Sequence, residues 1–441
     1  MVKKLWEVKE FDTIIGNSDY ENNPSYICLP ENVFQDFIAF IHEYEADKDN
    51  ADILDFIRIG YKRNVGETVT LKNYVGLIQM RHGYQIEVLP KICFGEEGSD
   101  EGNIKTKRTF LRMLRSMRDF PSKVFNDANL KVDKMNLYEV FINMYISEAR
   151  QLVKHGIKSS YVRVEDNLRL YKGKLQVGRQ IRENCAHKER FCVLFDEFHA
   201  NRPENKIVKA TLEKLIKLTA SAENAREIRR LLLSFDLVES STNYQKDFSS
   251  VVISRNNREY ASLMQWSKVF LLNKSFTTFS GNQCSRALLF PMESVYESFV
   301  SQQIKKLMSP DGWKVTCQDK EYYLFVEPRT QFKLKPDIVL RKEQRIVILD
   351  TKWKKLIDNK RKNYGISQAD MYQMYAYSKK YKTPEIWLLY PVNDEMRGHD
   401  NIYFDSGDGT SVKVFFVDVD KIDDSLCVLK HKLEYGNLGE I

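Results

Sequence analysis

Asp350 and Lys352 stand two residues apart at the end of an apolar run, Ile346–Leu349, and a second run, Ile338–Leu340, opens on Asp337. Between the runs lie Arg341, Lys342, Glu343, Gln344 and Arg345, a composition that suits a hairpin connection between adjacent strands. Side chains alternate along a strand, so Asp350 and Lys352 share one face while Thr351 turns to the other. Pairing of the two strands would bring Asp337 beside Asp350. Two carboxylates and an ammonium together are what a hard divalent cation needs: Mg²⁺ binds through few carboxylates and keeps much of its water. Lys352 is then placed to orient or deprotonate an attacking water, or to offset charge on a phosphorane-like transition state. The leading reaction class for such a group of residues is metal-assisted phosphodiester hydrolysis. The same spacing also fits a hairpin whose end carries a surface salt bridge, and Asp-x-Lys alone does not separate the two.

The elements that must position these groups can be read on either side. Upstream, Phe290–Val300 continues into Ile304 and Leu307 with apolar residues at helical spacing, Pro291 suiting the first turn and Glu297 lying inside the helix. Tyr322–Val326 reads as a strand ahead of the hairpin. Downstream, Ser367 caps a helix running to Lys380, on which Gln373 and Tyr377 stand one turn apart on one face. Glu385–Tyr390 is a further strand, stopped by Pro391. The order is helix, three strands, helix, strand.

That order, with Pro336-Asp337, Asp350-Thr351-Lys352 and the Gln373 and Tyr377 pair, resembles the PD-(D/E)xK nuclease superfamily, in the branch where a Gln-xxx-Tyr helix follows the active-site strand. More narrowly, Phe290–Val300, Lys335–Leu340, Leu349–Lys354 and Asp370–Tyr377 are similar to the McrC family, the nuclease subunit of McrBC-type restriction systems. The strong resemblance covers residues 285 to 395. It implies that Asp337 and Asp350 ligate the metal, that Lys352 is the catalytic lysine, and that Glu297 is the acidic residue of the first core helix. A solvated helix carboxylate is the other reading of Glu297. Gln373 and Tyr377 would orient the site or touch DNA; a packed polar pair is the other reading there. Asp350 stands where many members of the superfamily carry Glu. The resemblance also implies a partner, a hexameric McrB-like AAA+ GTPase that this subunit stimulates and that drives cleavage of foreign, methylcytosine-containing double-stranded DNA. No G-x-x-x-x-G-K-[ST] occurs, Gly173-Lys174 being followed by Leu175, so no nucleotide-binding loop of that kind is expected in this chain. A nuclease acting alone or with a helicase in DNA repair, and a non-catalytic adaptor that only activates a GTPase, stay open.

At 441 residues, with 43% apolar and 12% aromatic residues, the chain can build several cores and is not disordered throughout. The expected fold is α+β and multidomain. Residues 1–104 form a β-rich domain with one helix in Phe34–Glu45, a small barrel or sandwich and a candidate partner-binding module. Residues 105–284 form a mainly helical region with a small β insertion, and 285–441 a PD-(D/E)xK restriction-endonuclease-like core with a mixed sheet. The stretch 96–102 reads as an acidic loop or linker, and Arg108, Arg112 and Arg115 as a solvated basic face on the helix after it. A formal charge of +7 allows DNA binding through local patches. The densest is Lys354, Lys355, Lys360, Arg361 and Lys362, with Trp353 interleaved, beside the expected scissile phosphate.

Seven scattered cysteines without a C-x-x-C pair suggest free thiols in a reducing cytosol. The spacing of Cys185, His187, Cys192 and His199 matches no familiar zinc site, and Cys192 lies in an apolar run. Asp196 and Glu197 lack a Lys or His partner at a useful spacing and are read as structural. The first ten residues have no uninterrupted apolar core, and no apolar run approaches the ~20 residues that span a bilayer, so a cytoplasmic location is expected.

Overall fold

The computed structural model describes residues 5–45, 56–80, 82–94, 99–117, 120, 135–272, 287–399 and 401–435. The chain divides into two compact units, one built on Met1–Phe120 and Arg286–Ile441, the other on Pro121–Phe276. The expected first and last segments therefore belong to one unit. The boundary placed at residue 284, and residues 96–98 of the acidic stretch, lie outside the described residues.

The first unit begins with β1 (Leu5–Lys9), β2 (Thr13–Ile15), β3 (Ile27–Cys28), α1 (Glu31–Glu45), β4 (Ile57–Lys62), β5 (Gly66–Leu71), β6 (Tyr74–Gln79) and β7 (Gln85–Leu89). Two four-stranded sheets result, ordered β3-β2-β5-β4 and β1-β7-β6-β11, where β11 comes from residues 287–291. They share one core with α1: Val33, Phe34, Phe37 and Ile41 pack with Ile14, Val69, Ile78, Ile86 and Val88. Burying each such side chain stabilises the unit by roughly 1.5–3 kcal/mol. Next, α2 (Asp100–Leu114) starts inside the stretch expected to be linker: the Ser99 hydroxyl accepts from Gly102 N at 2.9 Å. Asp100 and Glu101 occupy the first turn, where the helix dipole favours negative charge. Of the expected solvated face, Arg112 instead donates to the Val419 carbonyl at 2.6 Å.

The second unit holds α3 (Leu137–His155), β8 (Ser160–Leu168), β9 (Lys174–Leu175), α4 (Val177–Glu183), β10 (Phe191–His199), α5 (Pro203–Leu218), α6 (Ala222–Leu233), α7 (Tyr244–Ser250) and α8 (Tyr260–Leu272). Asn136 caps α3, its side chain accepting from Glu139 N, and Gly156 ends it at φ 86°. The β insertion is larger than expected, because β8 runs nine residues and pairs antiparallel with β10 in a sheet ordered β8-β10-β9. Cys192 is buried on β10, while Cys185 is exposed.

The chain returns to the first unit with β11 (Ala287–Pro291), α9 (Met292–Met308), β12 (Lys314–Cys317), β13 (Tyr323–Phe325), β14 (Gln331–Lys333), β15 (Ile338–Lys342), β16 (Arg345–Thr351), α10 (Gln368–Tyr381), β17 (Glu385–Pro391), β18 (Tyr403–Asp405), β19 (Ser411–Val417) and α11 (Ile422–Tyr435). The central sheet is mixed, ordered β12-β15-β16-β17-β19-β18, with β15 and β16 antiparallel and β16, β17 and β19 parallel. The strand beside β15 is β12, which the sequence reading did not separate. The expected Tyr322–Val326 strand instead forms β13 of a two-stranded hairpin with β14. Met374, Tyr377 and Tyr381 of α10 pack on Val339, Ile348, Leu388 and Val414.

Two features tie the N-terminal sheets to the helix that carries Glu297. β11 pairs antiparallel with β6 and leads straight into α9, whose Met292 N donates to the Asn73 carbonyl at 2.8 Å. At Gly76, with φ 146°, a Cβ would sit 1.9 Å from the Leu288 carbonyl oxygen, so only glycine lets β11 approach β6.

Candidate active site

The hairpin register sets Ile338 opposite Leu349, and one further step in that register sets Asp337 opposite Asp350. Asp350 and Lys352 alternate in phase with Ile348, and Asp337 with Val339, so all three face α10. Asp350 is 1% exposed, and its Oδ2 lies 2.6 Å from Lys352 Nζ. Lys352 Nζ also donates to Gln373 Oε1 at 3.2 Å, and Gln373 Nε2 donates to the Tyr377 hydroxyl at 2.8 Å. The backbone of Lys335 hydrogen-bonds that same hydroxyl. The helix pair one turn apart thus holds the lysine from one side and the approach to Asp337 from the other.

Asp337 precedes β15 and is held differently. Its Oδ2 accepts from Thr351 N at 2.8 Å and from Thr351 Oγ1 at 2.6 Å. Alternation turns Thr351 from the face of its neighbours, yet its hydroxyl reaches the carboxylate of Asp337, which stands one place before β15. Thr351 is a site residue that the sequence reading set aside. Gln318, just after β12, is another: its backbone N donates to the Asp337 carbonyl at 2.7 Å and its Nε2 to Glu297 Oε1 at 3.0 Å. It therefore joins Glu297 of α9 to the hairpin. No spacing signal marks Gln318, because β12 itself was not anticipated.

The electrostatics are those of negative charge crowded out of water. Burial, and then the charge of Asp337, push the carboxyls of Glu297 and Asp350 up to about 7 each. Burial also raises Asp337 against the two Thr351 hydrogen bonds. Burial alone would lower Lys352, but the attraction of Asp350 and Asp337 outweighs it and the ammonium is held above its ordinary range. Such a site gains from a further cation. Among the described residues no three His, Cys, Asp or Glu side chains converge as a ready-made cage. The donor set is two carboxylates side by side, the kind Mg²⁺ takes when most of its shell is water.

The basic run separates into two parts. Lys354 Nζ lies 2.6 Å from Asp370 Oδ2 on α10 and is engaged there. Lys355, Lys360, Arg361 and Lys362 are exposed on the loop that follows. Trp353, expected among them, is instead 1% exposed. Its indole Nε1 donates to Glu10 Oε2 at 3.0 Å, and its carbonyl accepts from Lys91 Nζ at 2.8 Å. Glu10 Oε2 also accepts from Lys91 N at 2.9 Å. The residue next to Lys352 is thus clamped by two side chains of the N-terminal segment, contacts between positions 262 and 343 residues apart.

Residues 69–391 match a family model described as McrBC 5-methylcytosine restriction system component. The chain is 24% identical over 298 residues to the Type IV methyl-directed restriction enzyme EcoKMcrBC of Escherichia coli (strain K12), across 63% of this chain and 79% of that protein. Its fold follows that of a chain in the refined half-complex from the tetradecameric assembly of Thermococcus gammatolerans McrB AAA+ hexamers with bound McrC. The TM-score is 0.67 at 20% identity, covering 96% of this chain and all of that one.

Proposed function

The chain belongs to the McrBC 5-methylcytosine restriction system component family, and from that premise we propose that it is the subunit that hydrolyses DNA. The observation that carries this reading is the meeting of Asp337, Asp350 and Lys352 on one face of the hairpin, with Lys352 Nζ 2.6 Å from Asp350 Oδ2. In this reading the sheet β12-β15-β16-β17-β19-β18, with α9 and α10, is the PD-(D/E)xK core. A surface salt bridge would leave its carboxylate in water, whereas Asp350 is buried and raised by a second carboxylate.

Asp337 and Asp350 would hold Mg²⁺, which supplies Lewis-acid polarisation of a phosphoryl oxygen and a water of lowered pKa. The two carboxylates fit that role because each carries more negative charge than its buried surroundings favour. Thr351 fixes the Asp337 carboxylate with two donors. Lys352, steadied by Gln373, places an ammonium where negative charge grows on the phosphate during attack. Glu297, with its carboxyl raised to about 7, can hold or give up a proton near neutral pH. Lys355, Lys360, Arg361 and Lys362 neutralise flanking phosphates without reading bases.

The partner in this reading is a McrB-like AAA+ GTPase hexamer that this chain stimulates, and the substrate is foreign double-stranded DNA containing methylcytosine. Support comes from the family and from the E. coli relative, whose name describes a methyl-directed restriction enzyme. The test is reconstitution with an AAA+ partner and GTP on methylated and unmethylated plasmids. Cleavage should need partner, nucleotide, Mg²⁺ and methylation, and should disappear in Asp350→Ala and Lys352→Ala. Unchanged cutting by either variant would remove the proposed chemistry, and efficient cutting without the partner would replace it with a motor-independent nuclease.

A further inference from the structure

The β13–β14 hairpin leads from the central sheet directly into Pro336 and Asp337, and its strands carry bare apolar side chains. Phe325, Val326 and Phe332 are 55%, 62% and 68% exposed. The two phenylalanine rings meet edge to face, with centroids 5.9 Å apart and planes at 77°. Phe332 takes a left-handed backbone conformation, φ 55°, which is costly for an aromatic residue and persists where function selects it. The base of the hairpin, by contrast, is anchored. Leu334 N donates to the Tyr322 carbonyl at 3.0 Å, and Tyr322 packs edge-on against Tyr381 of α10 at 4.5 Å. From Lys335 a hydrogen-bonded path runs through Tyr377 and Gln373 to Lys352. The exposed rings are therefore mounted on the frame that holds the lysine.

Charge identifies what the rings would meet. Lys320, Arg329, Lys333 and Lys335 are all exposed around them, while Glu321 is spent on Arg341 at 2.7 Å and Glu327 is the remaining carboxylate of this stretch. Lys314 and Lys320 line an open groove that continues along β12 to Gln318, the residue that holds Glu297, and the two carboxylates of that groove, Asp319 and Glu321, are both paired with Arg341. A second copy of this chain would set these cations against their own kind, whereas a polyanion with stackable faces satisfies both the charge and the apolar surface.

We propose that this hairpin is a DNA wedge: Phe325 and Phe332 enter a groove of the duplex and part a base step beside the phosphate to be cut, while Lys333 and Lys335 contact the backbone. Apolar side chains inserted between base steps unstack and bend DNA in this way, and the flanking cations release counterions. The inference rests on the nuclease reading for the identity of its substrate.

The full chain, with Ca²⁺ replacing Mg²⁺ to hold cleavage, is titrated onto a fluorescein-labelled duplex and onto one carrying 2-aminopurine. Phe325→Ser/Phe332→Ser, at exposed positions that leave the core intact, should bind about tenfold more weakly with the same salt dependence, since a lost stacking contact is worth about that factor. The rise in 2-aminopurine emission seen with the native chain should be absent. Lys333→Ala/Lys335→Ala should instead flatten the slope of log affinity against log salt by about 2. The proposal is overturned if the double serine variant binds and unstacks DNA like the native chain. It is also overturned if that variant dissolves a dimer in sedimentation with DNA affinity unchanged, which would make the rings a contact between copies. Asp350→Ala serves as the separating control. Cutting by that variant in the reconstituted complex would sink the nuclease reading, whereas the binding and 2-aminopurine results with the native chain and the serine variant bear on the wedge alone.

Discussion

Replacing Asp350 by Asn should make the metal-free protein more stable above neutral pH. The carboxyl is 1% exposed and its pKa is pushed from 3.8 to about 7, chiefly by burial and then by Asp337. A raised folded-state pKa means that the native state prefers the protonated acid. Its contribution is therefore fully present below the unfolded value and is lost as pH rises through about 7. A displacement of about 3 units corresponds to about 4 kcal/mol of penalty on the ionised form at pH 8. Asn keeps the shape and removes the charge, but it also takes the ion pair from Lys352, whose side chain is 18% exposed and can reach water. That attraction is already counted in the raised pKa, so the net gain should approach the same figure, about 4 kcal/mol at pH 8. Urea unfolding followed by circular dichroism in EDTA would show the variant and the native chain together near pH 4 and separating steadily towards pH 8. Adding Mg²⁺ should raise the stability of the native chain and not of the variant, because only the native chain keeps both carboxylate ligands. A variant less stable than the native chain at pH 8, or a difference that does not change with pH, would refute both the burial argument and the metal assignment built on it.

Three further outcomes follow from the same geometry. Thr351→Val keeps the N–H but removes the hydroxyl that donates to Asp337, so Mg²⁺ affinity by calorimetry should fall by about tenfold with the fold intact; unchanged affinity would mean that Thr351 does not set the carboxylate. Gln373→Ala frees Lys352 from its second partner, and single-turnover cleavage should slow by about tenfold at unchanged DNA affinity; a change in affinity alone would place Gln373 on the DNA instead. Glu10→Ala leaves the Trp353 indole and the Lys91 amide without an acceptor and should lower the melting transition by about 2–4 kcal/mol in stability, whereas Glu10→Gln can accept both bonds at the same oxygen and should recover most of it. Equal melting of Glu10→Ala and the native chain would mean that the clamp on Trp353 carries no stability.

What could be read in advance was what alternation and helical spacing determine within one element. The phase of Asp350 and Lys352, the one-turn spacing of Gln373 and Tyr377, and the Ser367 cap that accepts from Asp370 N all hold in the structure. What could not be read was set by contacts between distant stretches. Thr351 turns from Asp350 and Lys352 as alternation requires, yet its N–H and hydroxyl both reach Asp337, which stands one place outside β15. Gln318 follows a four-residue edge strand too short to announce itself by period. Trp353 followed by lysines has the composition of a nucleic-acid contact, yet Glu10 and Lys91 draw it inside from the N-terminal segment. Glu10, which precedes the stretch that matches the family model, therefore helps to hold the residue beside the lysine. Local sequence patterns pick out the candidate groups, while their fixed positions depend on buried polar contacts that only the folded chain brings together.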